Sequence, residues 1–210
     1  MKLYVHPGAS SLSVHILLRE IGAPFDLEVV NVTAKQRADG SDYRVIAPRG
    51  MVPLLELPTG EYLTENLVIA QYICDAAGRH DLMPAGGTLA RYRVMEWQSF
   101  VAAELHKSFI PLNWKIDAAM RELVLARIGS RLAYVEQGLT GPFLTGETFT
   151  AADAYLYVIA SWTRFYGIDI EALPRLSAIL RRVGARTSVR AALTAEGRGM
   201  VSLDDPAPAP

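Results

Sequence analysis

What this chain most lacks is cysteine: Cys74 is the only one among its 210 residues. An intrachain disulfide, a Cys-x-x-Cys redox pair and a cysteine zinc cluster are all excluded, and a reducing compartment suits such a chain. It also lacks an excess of charge of either sign, with 21 basic and 22 acidic residues and a formal net charge of -1, so no nucleic-acid footprint is expected. Arg181, Arg182, Arg186 and Arg190 do cluster, at spacings that suit the solvated face of a helix. Long apolar runs are missing too. No stretch approaches the length that spans a bilayer, and the opening Met1 to Pro7 is too short an apolar run for a signal peptide, so the chain reads as cytoplasmic without a membrane partner. No internal repeat and no metal-ligand spacing is found.

What is present is the composition of an ordinary globular protein, 50% hydrophobic and 20% charged, long enough to bury a core without staples. Lys2 to Val5 is a short β-like run stopped by His6-Pro7-Gly8. Ser10-Ser11 opens a segment in which Leu12, Ile16 and Leu17 recur at helical spacing up to Gly22. Asp26 to Val32 alternates toward a second strand, and a short helical piece ends before Pro48. Pro53 to Leu57 and Glu61 to Leu63, joined through Pro58-Thr59-Gly60, read as a hairpin. From Thr64 to Gly78 the helical period returns. The first eighty residues therefore spell β-α-β-α-β-β-α.

Residues 81–87 carry Pro84 and the Gly86-Gly87 pair and have no period, which makes them the expected linker. Residues 88–200 read as all-helical, with segments at Thr88 to Asn113, Asp117 to Leu139, Thr150 to Phe165, Pro174 to Arg186 and Ser188 to Ala195. Residues 201–210, ending Pro206-Ala207-Pro208-Ala209-Pro210, are expected to form a frayed tail. The fold class is thus α/β followed by all-α.

Four places in this layout can carry chemistry. Pro7-Gly8-Ala9-Ser10-Ser11 sets a hydroxyl and unpaired amides at a helix N-terminus, where partial positive charge favours an anion such as a thiolate. The same residues also read as a simple helix cap. Met51-Val52-Pro53 starts a strand with proline, and a cis bond there would turn the Val52 N–H and C=O outward to pair with a peptide backbone. Thr64-Glu65-Asn66 reads either as a cap or as a pair of partners for an amino acid head, Glu65 for its ammonium and Asn66 with the helix-end amides for its carboxylate. Ser99, Ala102, Ala103 and His106 fall on one helical side, apart from the apolar stripe Val94, Trp97, Val101, Leu105.

Pro7-Gly8-Ala9-Ser10-Ser11, Pro48-Arg49-Gly50-Met51-Val52-Pro53 and Leu63-Thr64-Glu65-Asn66, in this order and spacing, resemble the glutathione-binding domain of beta-class (bacterial) glutathione S-transferases. Glu96-Trp97, Glu104-Leu105-His106-Lys107 and Phe149 to Leu156 resemble the helical domain of that family. The resemblance implies a thioredoxin-like domain over residues 1–80, an all-helical domain that contributes an electrophile pocket, glutathione as cosubstrate, and a homodimer. Glutathione would lie against Ala9 and Ser10, its glycyl end near Lys35, its cysteinyl backbone along Met51, Val52 and a cis Pro53, and its γ-glutamyl end at Glu65 and Asn66. Ser99 and His106 would approach from the second domain, and Ser10 and His106 are the catalytic candidates.

Two departures stand out: Ser10 where the beta class characteristically has cysteine, and Ser99 where it more often has asparagine. An enzyme–glutathione mixed disulfide at position 10 is impossible. A hydroxyl can still donate to the glutathione sulfur, helped by the helix N-terminus and by a protonated or donor-bearing His106, so that the thiolate attacks a small apolar electrophile. Loss of the cysteine is also compatible with a glutathione-binding protein that conjugates nothing, and the same site serves glutathione-dependent lyases, dehalogenases and isomerases. Phe109, Pro111, Trp114, Trp162, Phe165 and Tyr166 read as a pocket wall or as core. Thr150 and Asp153 read as a capping box, and Cys74 as buried and inert.

Overall fold

A computed structural model describes residues 1–197; the expected tail lies outside them. The chain divides into two compact units, one built from the first 83 residues together with the last helix, the other running from Pro84 to Ala185.

The first unit holds β1 (Lys2–Val5), α1 (Ser11–Ile21), β2 (Asp26–Val29), β3 (Leu54–Glu56), β4 (Tyr62–Thr64) and α2 (Asn66–Ala76), in the order expected from the sequence. The sheet order is β2-β1-β3-β4, with β1 parallel to β2, antiparallel to β3, and β3 antiparallel to β4. Alternation along the strands sorts the core: Tyr4 and Leu54 join Val30, Tyr43 and Ala47 on one face, while Leu3, Val5 and Leu55 point the other way and are fully buried. α1 packs on β1 and on α2, its apolar positions Leu12, Ile16 and Leu17 being buried, and Gly22 ends it in the left-handed conformation with φ 74°. β2 stops at Val29, short of the expected Val32, because the chain then turns back into bridges between Asn31, Gln36 and Asp42. The short helical piece before Pro48 is a 3₁₀ turn at Tyr43–Val45.

The second unit begins with α3 (Leu89–Phe100), capped by the Thr88 side chain. The expected single helix from 88 to 113 runs on but changes pitch. Val101–His106 is a π-helical turn, followed by α4 (Lys107–Phe109) and a 3₁₀ turn at Ile110–Asn113. Arg91, Val94, Gln98, Val101 and Leu105 face inward. Gln98 thus takes a core position, while Trp97 lies at the margin against Gly138, where a Cβ would meet its ring at 2.9 Å. α5 (Ala118–Gly138) is capped by Asp117.

α6 (Ala151–Ser161) is buried at all eleven positions. It opens on the expected capping box: Asp153 accepts the Thr150 N–H and hydroxyl, both at 2.8 Å, and its other oxygen accepts the Leu144 N–H at 2.8 Å. Burial pushes the Asp153 carboxyl up, to about 6, against these bonds, which favour the charged form. A 3₁₀ turn (Trp162–Tyr166) and α7 (Pro174–Gly184) complete the unit. No described helix is long and apolar enough to cross a membrane.

The sequence reading ran the helical domain to residue 200, whereas α8 (Thr187–Ala195) belongs with the first unit and packs on α1. Polar residues explain the return. Arg186 and Ser188 both bond the Glu20 carboxylate, and the Arg79 guanidinium donates to the Glu20 carbonyl at 2.7 Å. Glu196, just past α8, accepts from His15 Nδ1 at 2.9 Å and from the Gly8 amide at 3.0 Å. Arg19 Nε donates to His15 Nε2 at 3.2 Å, so that nitrogen is the acceptor and Nδ1 carries the proton. Of the four clustered arginines, Arg186 is therefore part of a packed contact, and Arg181 and Arg182 bond Glu171 and the Pro142 carbonyl.

Candidate functional site

The sheet register gathers the three motifs of the first unit. β1 pairs Tyr4 with Leu54, and β4 pairs Thr64 with Leu54. The residues after Tyr4 and those after Thr64 therefore flank the residues that precede Leu54, namely Val52 and Pro53. The Val52–Pro53 peptide is cis, and among the described residues the Val52 N–H and C=O have no backbone partner. Tyr43 Oη donates to the Met51 carbonyl at 3.0 Å and anchors this segment from behind, leaving the Met51 side chain exposed.

Ser10 precedes α1 as its N-cap residue, yet its side chain makes no capping bond. Its hydroxyl has no hydrogen-bond partner among the described residues. The turn is satisfied otherwise: the Ala9 amide donates to the His6 carbonyl at 2.9 Å, and the Ser11 hydroxyl accepts the His6 amide at 3.3 Å. Simple capping is thus not what Ser10 does here, and its hydroxyl stands unengaged beside a helix N-terminus.

Glu65 occupies the N-cap position of α2 with φ 68° and ψ 123°, a backbone state that L-residues rarely adopt, and its side chain does not cap the helix either. The carboxylate is 59% exposed and is paired with Arg49. Asn66 is buried, and its amide nitrogen donates inward to the Ser10 carbonyl at 2.9 Å and the Ser13 hydroxyl at 2.6 Å. Only the backbone amides at the start of α2 remain for a carboxylate. Since the Asn66 side chain reaches the residue that begins α1, two helix N-termini with their partial positive charge converge on one spot.

Lys35, at φ 59°, folds its ammonium onto the Gly50 carbonyl at 3.0 Å, leaving two further N–H donors. Gly50 sits at φ 59°, a left-handed backbone that favours glycine, and a Cβ there would lie 2.6 Å from the lysine Cδ and push the lysine chain aside.

The candidates of the second unit stand in a setting of their own. Ser99 is exposed on α3. His106 ends the π-helical turn, with Nδ1 2.9 Å from the Tyr155 hydroxyl and its ring edge-on to Trp162 at 5.0 Å. Burial, with a smaller contribution from the Lys107 charge, lowers its pKa to about 4. Of the protonated and the donor-bearing ring, this favours the neutral, donor-bearing one at neutral pH. Phe109 is fully buried and packs on Trp162 and Tyr166, hence core, whereas Trp114 and Phe165 are exposed. Cys74 is buried.

The sequence reading missed Arg49, Ser13, His15 and Glu196. Arg49 lies inside a quoted motif, but nothing in the motif says that it reaches Glu65. His15 and Glu196 are 181 positions apart, and no local pattern joins them.

Residues 9–76 match the N-terminal domain of the glutathione S-transferases and residues 117–182 their C-terminal domain. The chain is 38% identical to glutathione S-transferase GstA of Escherichia coli O157:H7 over 200 residues, 94% of this chain and 99% of that one. Its fold superposes on a sphingomonad glutathione S-transferase complexed with glutathione with a TM-score of 0.90 at 39% identity, covering 94% and 99% of the two chains. The bacterial beta-class enzyme of Sphingomonas chungbukensis gives 0.89 at 40% identity, covering 96% and 100%. A thioredoxin-like unit with a cis-proline edge, joined to a helical unit, defines the transferase class. The chain belongs to the glutathione S-transferase family, within its bacterial beta class.

Proposed function

We propose that this glutathione transferase activates its cosubstrate through Ser10, whose hydroxyl donates to the glutathione sulfur and stabilises the thiolate for attack on a small apolar electrophile. The observation that carries the reading is the Ser10 hydroxyl, unengaged at a helix N-terminus while its own carbonyl is bonded from behind. The rest of the cosubstrate follows by charge and backbone: γ-glutamyl ammonium to Glu65, γ-glutamyl carboxylate to the backbone amides that start α2, cysteinyl backbone to Val52 beside Met51 and Pro53, glycyl carboxylate to Lys35, with Ala9 in contact. For Ser99 and the neutral His106 the proposal rests on family membership. The exposed Trp114 and Phe165 suit an apolar acceptor.

A thiol of ordinary pKa, about 8.5, is only a few per cent ionised at neutral pH. Lowering it by about two units makes most of it thiolate and requires about 2.7 kcal/mol of differential stabilisation. A charge-assisted hydrogen bond together with helix N-termini is of the right size to provide this.

The test is a pH titration of the thiolate absorbance of bound glutathione, alongside conjugation of an aryl halide. Ser10→Ala is expected to raise the bound thiol pKa by about one unit and to lower turnover at neutral pH accordingly. An unchanged pKa removes Ser10 from the mechanism.

A homodimer is part of the same proposal. Leu89 and Tyr92, exposed one turn apart on α3, suit a surface covered by a second copy. Sedimentation of a single species of twice the chain mass at micromolar concentration is expected; a monomer there contradicts it. The same proposal makes this a detoxifying conjugation and places it in the cytoplasm, a reducing compartment that suits a single buried free cysteine.

A further inference from the structure

We propose that Asn66 is a positioning residue that couples the two ends of the glutathione site, holding Ser10 at the sulfur end and Glu65 at the γ-glutamyl end through a single buried amide. The inference rests on the cosubstrate placement above. Both hydrogens of the Asn66 amide nitrogen are committed, one to the Ser10 carbonyl and one to the Ser13 hydroxyl, and Ser13 in turn donates to the same Ser10 carbonyl at 2.8 Å. Asn66, Ser13 and the Ser10 main chain thus form a closed triangle, all three residues buried. The Ser13 N–H donates to the same carbonyl at 3.2 Å, and the two side-chain bonds added to that backbone bond fix the orientation of the peptide unit, and with it the direction in which the Ser10 side chain leaves the backbone.

The other end of the device is the residue before Asn66. Glu65 sits at φ 68°, ψ 123°, a conformation that persists only where the surroundings over-determine it. On one side Thr64 is locked into the β4–β3 ladder opposite Leu54. On the other, Asn66 is tied to α1. Between these two fixed neighbours Glu65 has little freedom to relax, and its carboxylate is turned outward. If the Asn66 amide is removed, one of the two fixed neighbours is released.

Asn66 Oδ1 is buried and has no partner among the described residues. A buried acceptor without a donor is a cost that an apolar side chain of similar size would avoid. Its presence is understandable if the opposite end of the amide is what matters. The same cost makes the substitution informative, because Asn66→Ala removes the orphaned oxygen along with the two bonds, so stability changes little while the positioning is lost.

The experiment compares wild type, Asn66→Ala, Ser13→Ala and Ser13→Thr by two readouts. The sulfur end is read by the pKa of the bound glutathione thiol, and the γ-glutamyl end by calorimetric affinity for S-methylglutathione, which has no ionisable thiol. In Asn66→Ala the thiol pKa is expected to rise by about half a unit or more and S-methylglutathione to bind about fivefold to tenfold more weakly, as expected when one or two hydrogen bonds no longer hold the site. Ser13→Ala is expected to shift both in the same direction by less, and Ser13→Thr, which keeps the hydroxyl, to restore wild-type values. A purely structural role would lower the melting temperature and leave both readouts unmoved, and that result overturns the proposal; so does a shift at one end only. Should Asn66→Ala fail to fold, the Ser13 pair decides alone. Wild type that binds neither glutathione nor S-methylglutathione would instead refute the underlying site.

Discussion

Glu65→Ala is expected to weaken glutathione binding by about tenfold to a hundredfold, since a hydrogen bond to a charged group contributes about 1.5–3 kcal/mol. The carboxylate is the acidic group at the junction of β4 and α2, presented outward by the strained backbone and paired with Arg49. Its exposure places the effect toward the lower part of that range, because solvent and salt screen the ammonium–carboxylate attraction. Calorimetry on wild type, Glu65→Ala and Glu65→Gln separates charge from hydrogen bonding: the glutamine variant keeps an acceptor and is expected to fall between the other two. Salt should weaken wild type more than either variant. Equal affinity of wild type and Glu65→Ala would take Glu65 out of the site.

The largest loss of stability is expected from Glu196→Ala. Its carboxylate and His15 are both buried and accept or donate to one another, while the second carboxylate oxygen holds the Gly8 amide. Truncation takes away the acceptor of the buried His15 Nδ1–H and one bond to the Gly8 amide, and leaving a buried donor unsatisfied costs about 1–3 kcal/mol. For a chain of this length that corresponds to a melting temperature lower by roughly 5 °C. Glu196→Gln is expected to cost less, since its single oxygen satisfies one donor while its NH₂ faces the other. A fall of less than about 2 °C for the alanine variant, read by thermal unfolding at fixed pH, would show that these contacts contribute little. Because Gly8 lies two residues before Ser10, the same variant is expected to loosen the β1–α1 turn.

The periodicities of Leu12, Ile16 and Leu17, of Leu67, Ile69 and Ile73, and the proline and glycine stops at Pro48, Pro58 and Gly78 were enough to place nearly every element of the first unit. These are signals carried by neighbours in the chain. The π-helical turn at Val101–His106 was not legible, because it differs from an α-helix by the hydrogen-bond partner each amide chooses, which the packing of α3 and α6 influences. The capping box was legible because Thr150 and Asp153 are three residues apart and satisfy one another locally. His106 could be picked out by its place on a helix face, but its charge state could not, since burial beside Tyr155 and Trp162 is what lowers its pKa.

By itself, then, the sequence determined the α/β and all-α halves, which depend on residue type and local spacing, and the resemblance of its motifs implied the family, glutathione as cosubstrate and the replacement of cysteine by Ser10. Only the tertiary structure decided that α8 returns to the first unit, that Ser10 leaves its helix uncapped, that Asn66 turns inward while Glu65 turns out, and that Glu196 holds the turn beside Ser10. The return of α8, the inward turn of Asn66 and the hold of Glu196 are each set by a hydrogen-bond partner dozens to nearly two hundred residues away, brought within reach only when the sheet register and the packing of α1, α2 and α8 close the chain on itself.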